Sequence, residues 1–191
     1  GIDDFAQGVQ RFIFGLSKKV LLANPLALVA DKIFALPANE LTTPLAWLGA
    51  LCYTLQIYYD FSGYSDMAIG LGRIMGFDLG INFMLPYQSK NITEFWRRWH
   101  MTLSRFLRDY LYIPLGGSKR STWMKVRNTF IIFLVSGFWH GANWTFIVWG
   151  LLNAIYIMPS IIFNTNRTNL DSVAQGKLFP TLKEFFSIIL K

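Results

Sequence analysis

Residues 129–163 read TFIIFLVSGFWHGANWTFIVWGLLNAIYIMPSIIF, and this run gives the strongest indication of the fold class. It contains no Lys, Arg, Asp or Glu, and a helix needs roughly 20 apolar residues to cross the hydrocarbon core of a bilayer. The run is longer than one ordinary span and shorter than two. We therefore predict a helix that enters from the cytoplasm, a break near Gly141, Ala142 and Asn143, and a second helical piece. Broken backbone is tolerated in a membrane where it lines a cavity.

The composition of the whole chain also indicates a membrane protein. Hydrophobic residues make up 53% of the 191 residues and charged residues only 15%, whereas an average soluble domain is about 25% charged. The net charge of +7 comes from short basic clusters between apolar runs. This layout fits the positive-inside rule better than it fits a nucleic-acid-binding surface. We therefore predict that membrane lipid surrounds the chain and that nucleic acid is not a partner.

Two other apolar segments precede this run. Residues 8–36 are interrupted by Arg11, Lys18 and Lys19, and a kink is expected at Asn24-Pro25. Residues 45–61 are about long enough to span, given that roughly 20 residues cross the core. Asp60 lies near the end of this segment and Asp66 follows it, and carboxylates at that depth are costly unless they face a cavity or a partner. They are candidates for substrate binding.

A structural role is at least as well supported for Asp66. Arg73 follows it by seven residues, so the two share a helix face if the segment is helical. The sequence therefore also predicts an Asp66–Arg73 ion pair.

Residues 91–112, NITEFWRRWHMTLSRFLRDYLY, give the clearest helix pattern. Asn91 and Glu94 have the spacing of a capping box, and Pro114 with the glycines after it ends the helix. One face would carry Ile92, Trp96, Trp99, Leu103, Phe106 and Tyr110. We predict a single amphipathic helix that lies along the membrane interface.

The polar face of this helix would carry Arg97, Arg98, Arg105 and Arg108. Guanidinium groups bind phosphate through charge and paired hydrogen bonds, so these side chains could bind a phosphorylated donor such as coenzyme A or phosphopantetheine. Anionic lipid is an equally supported ligand. The loop from Lys119 to Arg127 has basic residues and no acid, which predicts that it is cytoplasmic.

His140 is the one histidine of the uncharged run, and so its one side chain that ordinarily titrates near neutral pH. It lies about 12 residues beyond Asn128, which at about 1.5 Å per residue places it roughly 18 Å deep. A neutral imidazole is suited to remove a proton from a hydroxyl group, and burial favours the neutral form. The alternative is a structural histidine that bonds two helices. Intramembrane ionisable residues are usually functional, which favours catalysis.

His100 is the other histidine, and it flanks the apolar face of the predicted helix. It could meet a substrate or only the headgroup region. Two histidines without suitably spaced carboxylates are a poor metal site, and Cys52 is the only cysteine. We therefore predict no metal and no intramolecular disulfide.

Three long motifs resemble the membrane-bound O-acyltransferase family, in the bacterial branch that is similar to alginate O-acetylation proteins. They are YYDFSGYSDMAIGLGRIMGF (58–77), NFMLPYQSKNITEFWRRWHMTLSRFLRDYLYIPLGG (82–117) and GFWHGANWTFIVWGLLNA (137–154). The segment FIFGLSKKVLLANPLA (12–27) also fits. The order and spacing of the motifs make the resemblance specific.

The resemblance implies an all-α, polytopic membrane bundle around a tunnel, with His140 of the WHG motif as the essential catalytic residue. His100 in WRRWH becomes a supporting residue, and we assign Trp139 to substrate binding. No cofactor would be permanently bound, because the acyl group comes from a cytoplasmic thioester, either acetyl-CoA or an acyl carrier protein. Residues 1–191 would be part of one multi-pass domain that lacks N-terminal spans and is cut within the apolar segment 185–190. Such an excerpt is not expected to act alone.

We therefore expect acetyl or other acyl transfer to a hydroxyl of an exported polysaccharide, or to a relay protein, in the bacterial inner membrane. An extracytoplasmic acetyltransferase partner is expected. His140 would remove the proton of the acceptor, while Asn143 or a backbone N–H could stabilise the oxyanion. The alternatives are D-alanyl transfer to teichoic acid and a transporter. Transporters often show repeated broken segments, which the sequence lacks.

Overall fold

The structure is a computed structural model that describes residues 1–119, 121–163 and 182. The regular secondary structure of these residues is helical, which confirms the predicted all-α class. The chain divides into two compact units, Gly1–Ile81 and Asn82–Lys191. Arg120 of the basic loop and the closing apolar segment 185–190 lie outside the described residues.

The first unit contains α1 (Ile2–Ser17), α2 (Asn24–Phe34) and α3 (Thr43–Ile74). A π-helical segment, Lys18–Ala23, joins α1 to α2, so the irregularity expected at Asn24-Pro25 begins earlier. Pro25 has no backbone N–H, and the N–H of Asn24 donates to the carbonyl of Lys19, which widens the helix before the proline.

Glycines set the contact between α1 and α3. A Cβ on Gly15 would lie 2.5 Å from the carbonyl oxygen of Gly63, and a Cβ on Gly63 would lie 2.7 Å from that of Gly15. Any larger residue would push the backbones apart. Such small-residue contacts are typical of helices that pack in membranes.

Asp66 of α3 takes its partners from the first helical stretch. Its carboxylate accepts hydrogen bonds from Arg11 Nη2 at 2.9 Å and from Lys18 Nζ at 2.6 Å. Arg73 instead contacts Asp4, with Nη2 and Oδ1 3.3 Å apart. The predicted Asp66–Arg73 pair is therefore wrong. Asp66 is already paired with two basic side chains across the helix contact, and Arg73 is paired with Asp4 of α1 instead.

The second unit contains α4 (Ile92–Arg98), α5 (Met101–Leu107), α6 (Thr122–His140) and α7 (Trp144–Ile162). A 3₁₀ turn at Pro86–Gln88 precedes α4, and a π-helical segment at Arg108–Tyr112 follows α5. Within the described residues, two stretches are long and apolar enough to cross a membrane, Ile2–Phe34 and α7. The span predicted at 45–61 lies within α3 and stays a prediction.

The single helix predicted over 91–112 is wrong, because the chain turns at His100. His100 has a left-handed backbone with φ of +46° and separates α4 from α5. The predicted start is confirmed, since Asn91 Oδ1 accepts the N–H of Glu94 at 2.9 Å. The Glu94 side chain accepts the N–H of Lys90, one residue before the position that a capping box uses. The amphipathic pattern was real, but two short helices carry it.

The uncharged run 129–163 is divided between α6 and α7, with residues 141–143 between them. The helices pack side by side: a Cβ on Gly137 would lie 2.4 Å from the carbonyl oxygen of Phe146, and one on Gly150 would lie 2.4 Å from that of Phe133. The second helical piece therefore folds back along the first. Asn143 consequently does not continue the helix face of His140, as it would in an unbroken helix.

The core of the second unit lies between this helix pair and α4. Its buried members are Val126, Phe133, Ala154, Ile157 and Ile161, and Ile92 and Trp96 of α4 pack against them. The hydroxyl groups of Thr93 and Ser160 are 3.1 Å apart, which ties α4 to α7. This packing holds α4 beside the end of α6, where His140 lies.

Candidate functional site

A cavity of about 260 Å³ lies within the second unit, and both histidines of the chain line it. His100 contributes from the turn between α4 and α5, and His140 from the end of α6. Much of the wall is apolar and includes Trp96, Leu103, Ile132, Phe133 and Ile157. Ser104, Thr129 and Ser136 also line the cavity and contribute polar side chains. The cavity therefore combines an apolar volume with two imidazoles, which suits a small acyl group and a proton acceptor.

Aromatic rings surround His140. The ring of Trp149 lies edge-on at 5.2 Å between centroids, and the ring of Phe146 lies parallel at 6.3 Å. A Cβ on Gly141 would lie 2.6 Å from the Phe146 ring, so glycine there lets that ring approach. His140 is exposed in the described part of the chain, which leaves its imidazole accessible to a substrate.

Trp139 stands beside both imidazoles. Its ring centroid is 5.1 Å from that of His140 and 6.2 Å from that of His100. The side chain is largely exposed, and it does not line the cavity. Its assignment to substrate binding stays a prediction, now with a position next to the two histidines.

The turn at His100 is held by hydrogen bonds to Asn82. Nδ1 of His100 lies 3.2 Å from Oδ1 of Asn82, and the backbone N–H of Met101 donates to the carbonyl of Asn82 at 2.9 Å. Burial, and then the charge of His140, lower the pKa of His100 to about 4. The imidazole is therefore neutral near neutral pH, and one of its nitrogens can accept a proton or a hydrogen bond.

Asn143 has a structural task in the described residues. It is the N-cap of α7, and its Oδ1 accepts the N–H of Thr145 at 3.2 Å. It does not line the cavity. The predicted role as oxyanion donor stays untested, and hydroxyl donors such as Ser136 lie in the cavity wall instead.

The four arginines do not form one face, because the break at His100 separates them. Arg97 and Arg108 line the cavity, whereas Arg98 and Arg105 do not. Arg98 forms an ion pair of 2.8 Å with Glu94, whose side chain is only 4% exposed. Its guanidinium therefore balances a buried carboxylate. Arg97 and Arg108 are the two of the four that line this cavity, and Arg108 also pairs with Asp109 at 2.7 Å.

Asp60 and Asp66 belong to the first unit, where both carboxylates have basic partners. Lys19 pairs with Asp60, and Arg11 and Lys18 pair with Asp66. These ion pairs give both residues a structural role within that unit. Substrate contact by either carboxylate stays a prediction.

Sequence reasoning missed Asn82 and gave Trp96 only a place on an apolar face. Asn82 lies in an irregular stretch before α4. No regular spacing of residue types in that stretch indicates a role for this asparagine. Its role is to hold the turn at His100, which the sequence pattern does not predict. Among residues 1–119, 121–163 and 182, no three His, Cys, Asp or Glu side chains come together in a way that could hold a metal ion.

Comparison with known proteins gives a consistent family. The model of the membrane-bound O-acyltransferase family, MBOAT, matches residues 3–181. The chain is 56% identical over 156 residues to a protein of Pseudomonas putida named "Probable alginate O-acetylase AlgI", covering 82% of the chain and 32% of that protein. It is 52% identical over 152 residues to the peptidoglycan O-acetyltransferase of Helicobacter pylori, covering 80% of the chain and 29% of the relative.

A more distant relative has a different named activity. The teichoic acid D-alanyltransferase of Bacillus subtilis is 32% identical over 158 residues, covering 78% of the chain and 39% of the relative. The chain thus spans about a third of the length of the curated relatives that it matches. Both histidines and the cavity that they line fall within the matched family region.

Proposed function

Because this chain belongs to the membrane-bound O-acyltransferase family, we propose that the whole protein transfers an acyl group, namely acetyl, from a thioester to a hydroxyl group. The acceptor is a polysaccharide, or a relay protein that serves one. The observation that carries the proposal is the cavity in which His100 and His140 meet an apolar wall. Family membership also argues against the transporter alternative.

The reaction needs one proton acceptor and a route for the leaving group. His140 takes the proton of the acceptor hydroxyl as its oxygen attacks the thioester carbonyl carbon. The new C–O bond forms, the C–S bond breaks, and the proton passes from His140 to the departing sulfur. Hydrogen-bond donors of the cavity wall, or Asn143, stabilise the oxyanion in between.

The donor is a cytoplasmic thioester, acetyl-CoA or an acyl carrier protein, whose phosphates meet Arg97 and Arg108. Both side chains line the cavity, and both residues are exposed. Charge and paired hydrogen bonds attract phosphate to guanidinium, and salt weakens exposed contacts of this kind. The acyl arm then extends past them toward the imidazoles.

We expect Arg97→Gln combined with Arg108→Gln to raise the donor KM several-fold and to lower kcat little. Contacts far from the reacting carbon stabilise the ground state and the transition state alike, so their loss appears in KM. The matched control is Arg105→Gln, since Arg105 is exposed but does not line the cavity. Steady-state kinetics of the full-length protein at two salt concentrations provide the measurement. Donor kinetics that match those of the control, with less protein in the membrane, would instead indicate lipid binding.

Transfer of D-alanine to teichoic acid is the second candidate, and the similarity to the Bacillus subtilis enzyme favours it. Full-length protein in sealed vesicles, supplied with labelled acetyl or D-alanyl thioester, separates the two. We expect ester-linked label from the acetyl donor. Label from the D-alanyl donor alone would select the second candidate, and label from neither would contradict acyl transfer.

We propose that the protein is a multi-pass protein of the bacterial inner membrane and works with an extracytoplasmic acetyltransferase that receives or delivers the acyl group. Two stretches of suitable length and the family membership support the membrane location. The relatives named as polysaccharide acetylases support the acceptor class.

The orientation follows from the basic segment before α6. We expect a cysteine introduced at Ser121, an exposed residue, to react with an impermeant reagent only after the cells are opened. Lys119 precedes it, and Lys125 and Arg127 follow on the first turns of α6 rather than in the loop. The native Cys52 must first be replaced by Ser in the same protein. Labelling from the outer face of sealed cells would reverse the proposed orientation.

A further inference from the structure

Asn82 holds the start of α5 in place through three hydrogen bonds. The residue is only 9% exposed. Its backbone carbonyl accepts the N–H of Met101 at 2.9 Å. Its side-chain Oδ1 accepts the N–H of Thr102 at 3.2 Å and the hydroxyl of Thr102 at 2.9 Å. These bonds stabilise the left-handed backbone of His100, a conformation that is strained for a residue with a side chain.

The same contacts determine which atom of the Asn82 amide faces His100. A backbone N–H can only donate, so the amide atom that meets the N–H of Thr102 must be the oxygen. That oxygen also lies 3.2 Å from Nδ1 of His100. Because an amide oxygen can only accept, a hydrogen bond between these two atoms requires that Nδ1 carry the proton of the neutral ring. The lone pair of the imidazole is then on Nε2.

We propose that Asn82 is a positioning residue that fixes this tautomer of His100, so that Nε2 accepts a hydrogen bond from the acceptor substrate in the cavity while His140 takes the proton of the attacking hydroxyl. The inference rests on the proposed acyl transfer and adds a division of labour between the two histidines. Only one tautomer of His100 can accept at Nε2, and the buried amide selects it before any substrate arrives.

The low pKa of His100 agrees with this role, since the ring stays neutral at neutral pH. The other titratable or charged groups that line the cavity in the described residues are Arg97, Arg108, Tyr112 and His140. None of them is changed in the variants that test the proposal. A charge at position 82 would also act on His140, which interacts electrostatically with His100, so the ¹⁵N signal of His100 is needed to show which ring titrates.

The first test uses Asn82→Leu in the full-length protein. Leucine has a similar size but no acceptor, so both tautomers of His100 become populated. We expect kcat/KM for the acceptor to fall about 10- to 100-fold, the scale of one lost hydrogen bond that leaves a buried polar partner unpaired. The donor KM should stay near that of the wild type. Wild-type acceptor kinetics in this variant would overturn the proposal.

The second test uses Asn82→Asp, which keeps the acceptor and the tautomer but adds a negative charge. An adjacent carboxylate favours the imidazolium and should raise the pKa of His100. Activity near neutral pH should be largely kept, while the acid limb of the pH–rate profile moves to higher pH. The matched control is Asn91→Asp, because aspartate is an equally good N-cap and Asn91 does not line the cavity. Acid limbs that coincide in the wild type and both variants would contradict the role of Asn82.

A third measurement does not depend on activity. ¹⁵N-histidine spectra of the full-length protein, with His100→Gln to assign the signal, report which ring nitrogen is protonated. We expect the Nδ1–H form in the wild type and a mixture in Asn82→Leu. An Nε2–H ring in the wild type would overturn the inference even if transfer occurs. A wild-type protein that has the Nδ1–H ring but transfers no acyl group would refute the proposed function while leaving the tautomer assignment intact.

Discussion

Replacing His140 by Ala in the full-length protein is expected to lower acyl transfer by about 10²- to 10⁴-fold, the usual contribution of a general base. The imidazole lines the cavity together with His100. An uncharged substitution leaves the apolar run intact, so insertion into the membrane should not change. Transfer of labelled acetyl, normalised to inserted protein, is the measurement.

The matched control for this variant is Phe138→Ala on the same helix. Phe138 is 65% exposed, and it does not line the cavity. It should therefore retain most of the activity while undergoing a similar loss of side-chain volume. Acetylation close to the wild-type level in His140→Ala would refute the proposed mechanism.

Gly137→Ala is expected to have the second large effect, through packing instead of chemistry. The new Cβ would lie 2.4 Å from the carbonyl oxygen of Phe146 and 3.5 Å from the Cα of Gly150, both backbone atoms of α7. Backbone cannot move away as a flexible side chain can, so the two helices must separate. Overpacking of this kind typically costs about 1–3 kcal/mol.

The separation should also affect the site, because Phe146 stacks on the His140 ring. We expect a lower Tm in detergent and a loss of most transfer activity. Val135→Ala is the control, since Val135 is exposed on α6 and its truncation brings no atom closer to α7. A Tm and an activity like those of the control would show that α6 and α7 are not in contact at Gly137.

The sequence predicted the elements with strong patterns. The uncharged run, the Asn91 cap and the helix end before the glycines at 116–117 all follow from local chemistry, and the structure has an N-cap at Asn91 and positive φ at both glycines. The resemblance likewise identified the family, which the matched model confirms. These signals lie within a few residues of one another, so no tertiary information was needed.

What the sequence could not predict depends on distant partners. The turn at His100 interrupts an unbroken amphipathic pattern because Asn82, far away in the chain, supplies the hydrogen bonds that hold it. Arg98 looked like a phosphate ligand, but a buried carboxylate one helical turn away binds it. α7 returns along α6 through close glycine contacts between the two helices. Helical periodicity alone does not distinguish this arrangement from a broken helix that continues in one direction. At the turn and at the helix return, tertiary contacts overrode a valid local pattern. The Arg98–Glu94 pair is instead local to α4, and what the sequence did not show is that Glu94 is buried.

We propose that the acyl group is transferred in the cavity that His100 and His140 share. The most direct measurement is photo-crosslinking of full-length protein with a short acyl thioester that carries a diazirine, followed by peptide mapping. We predict crosslinks to apolar residues of the cavity wall, namely Leu103, Phe133 and Ile157. An excess of unlabelled acetyl thioester should prevent them. Crosslinks confined to Val148 and Leu152, which are exposed on α7 and do not line the cavity, or crosslinks that the competitor leaves unchanged, would contradict the claim.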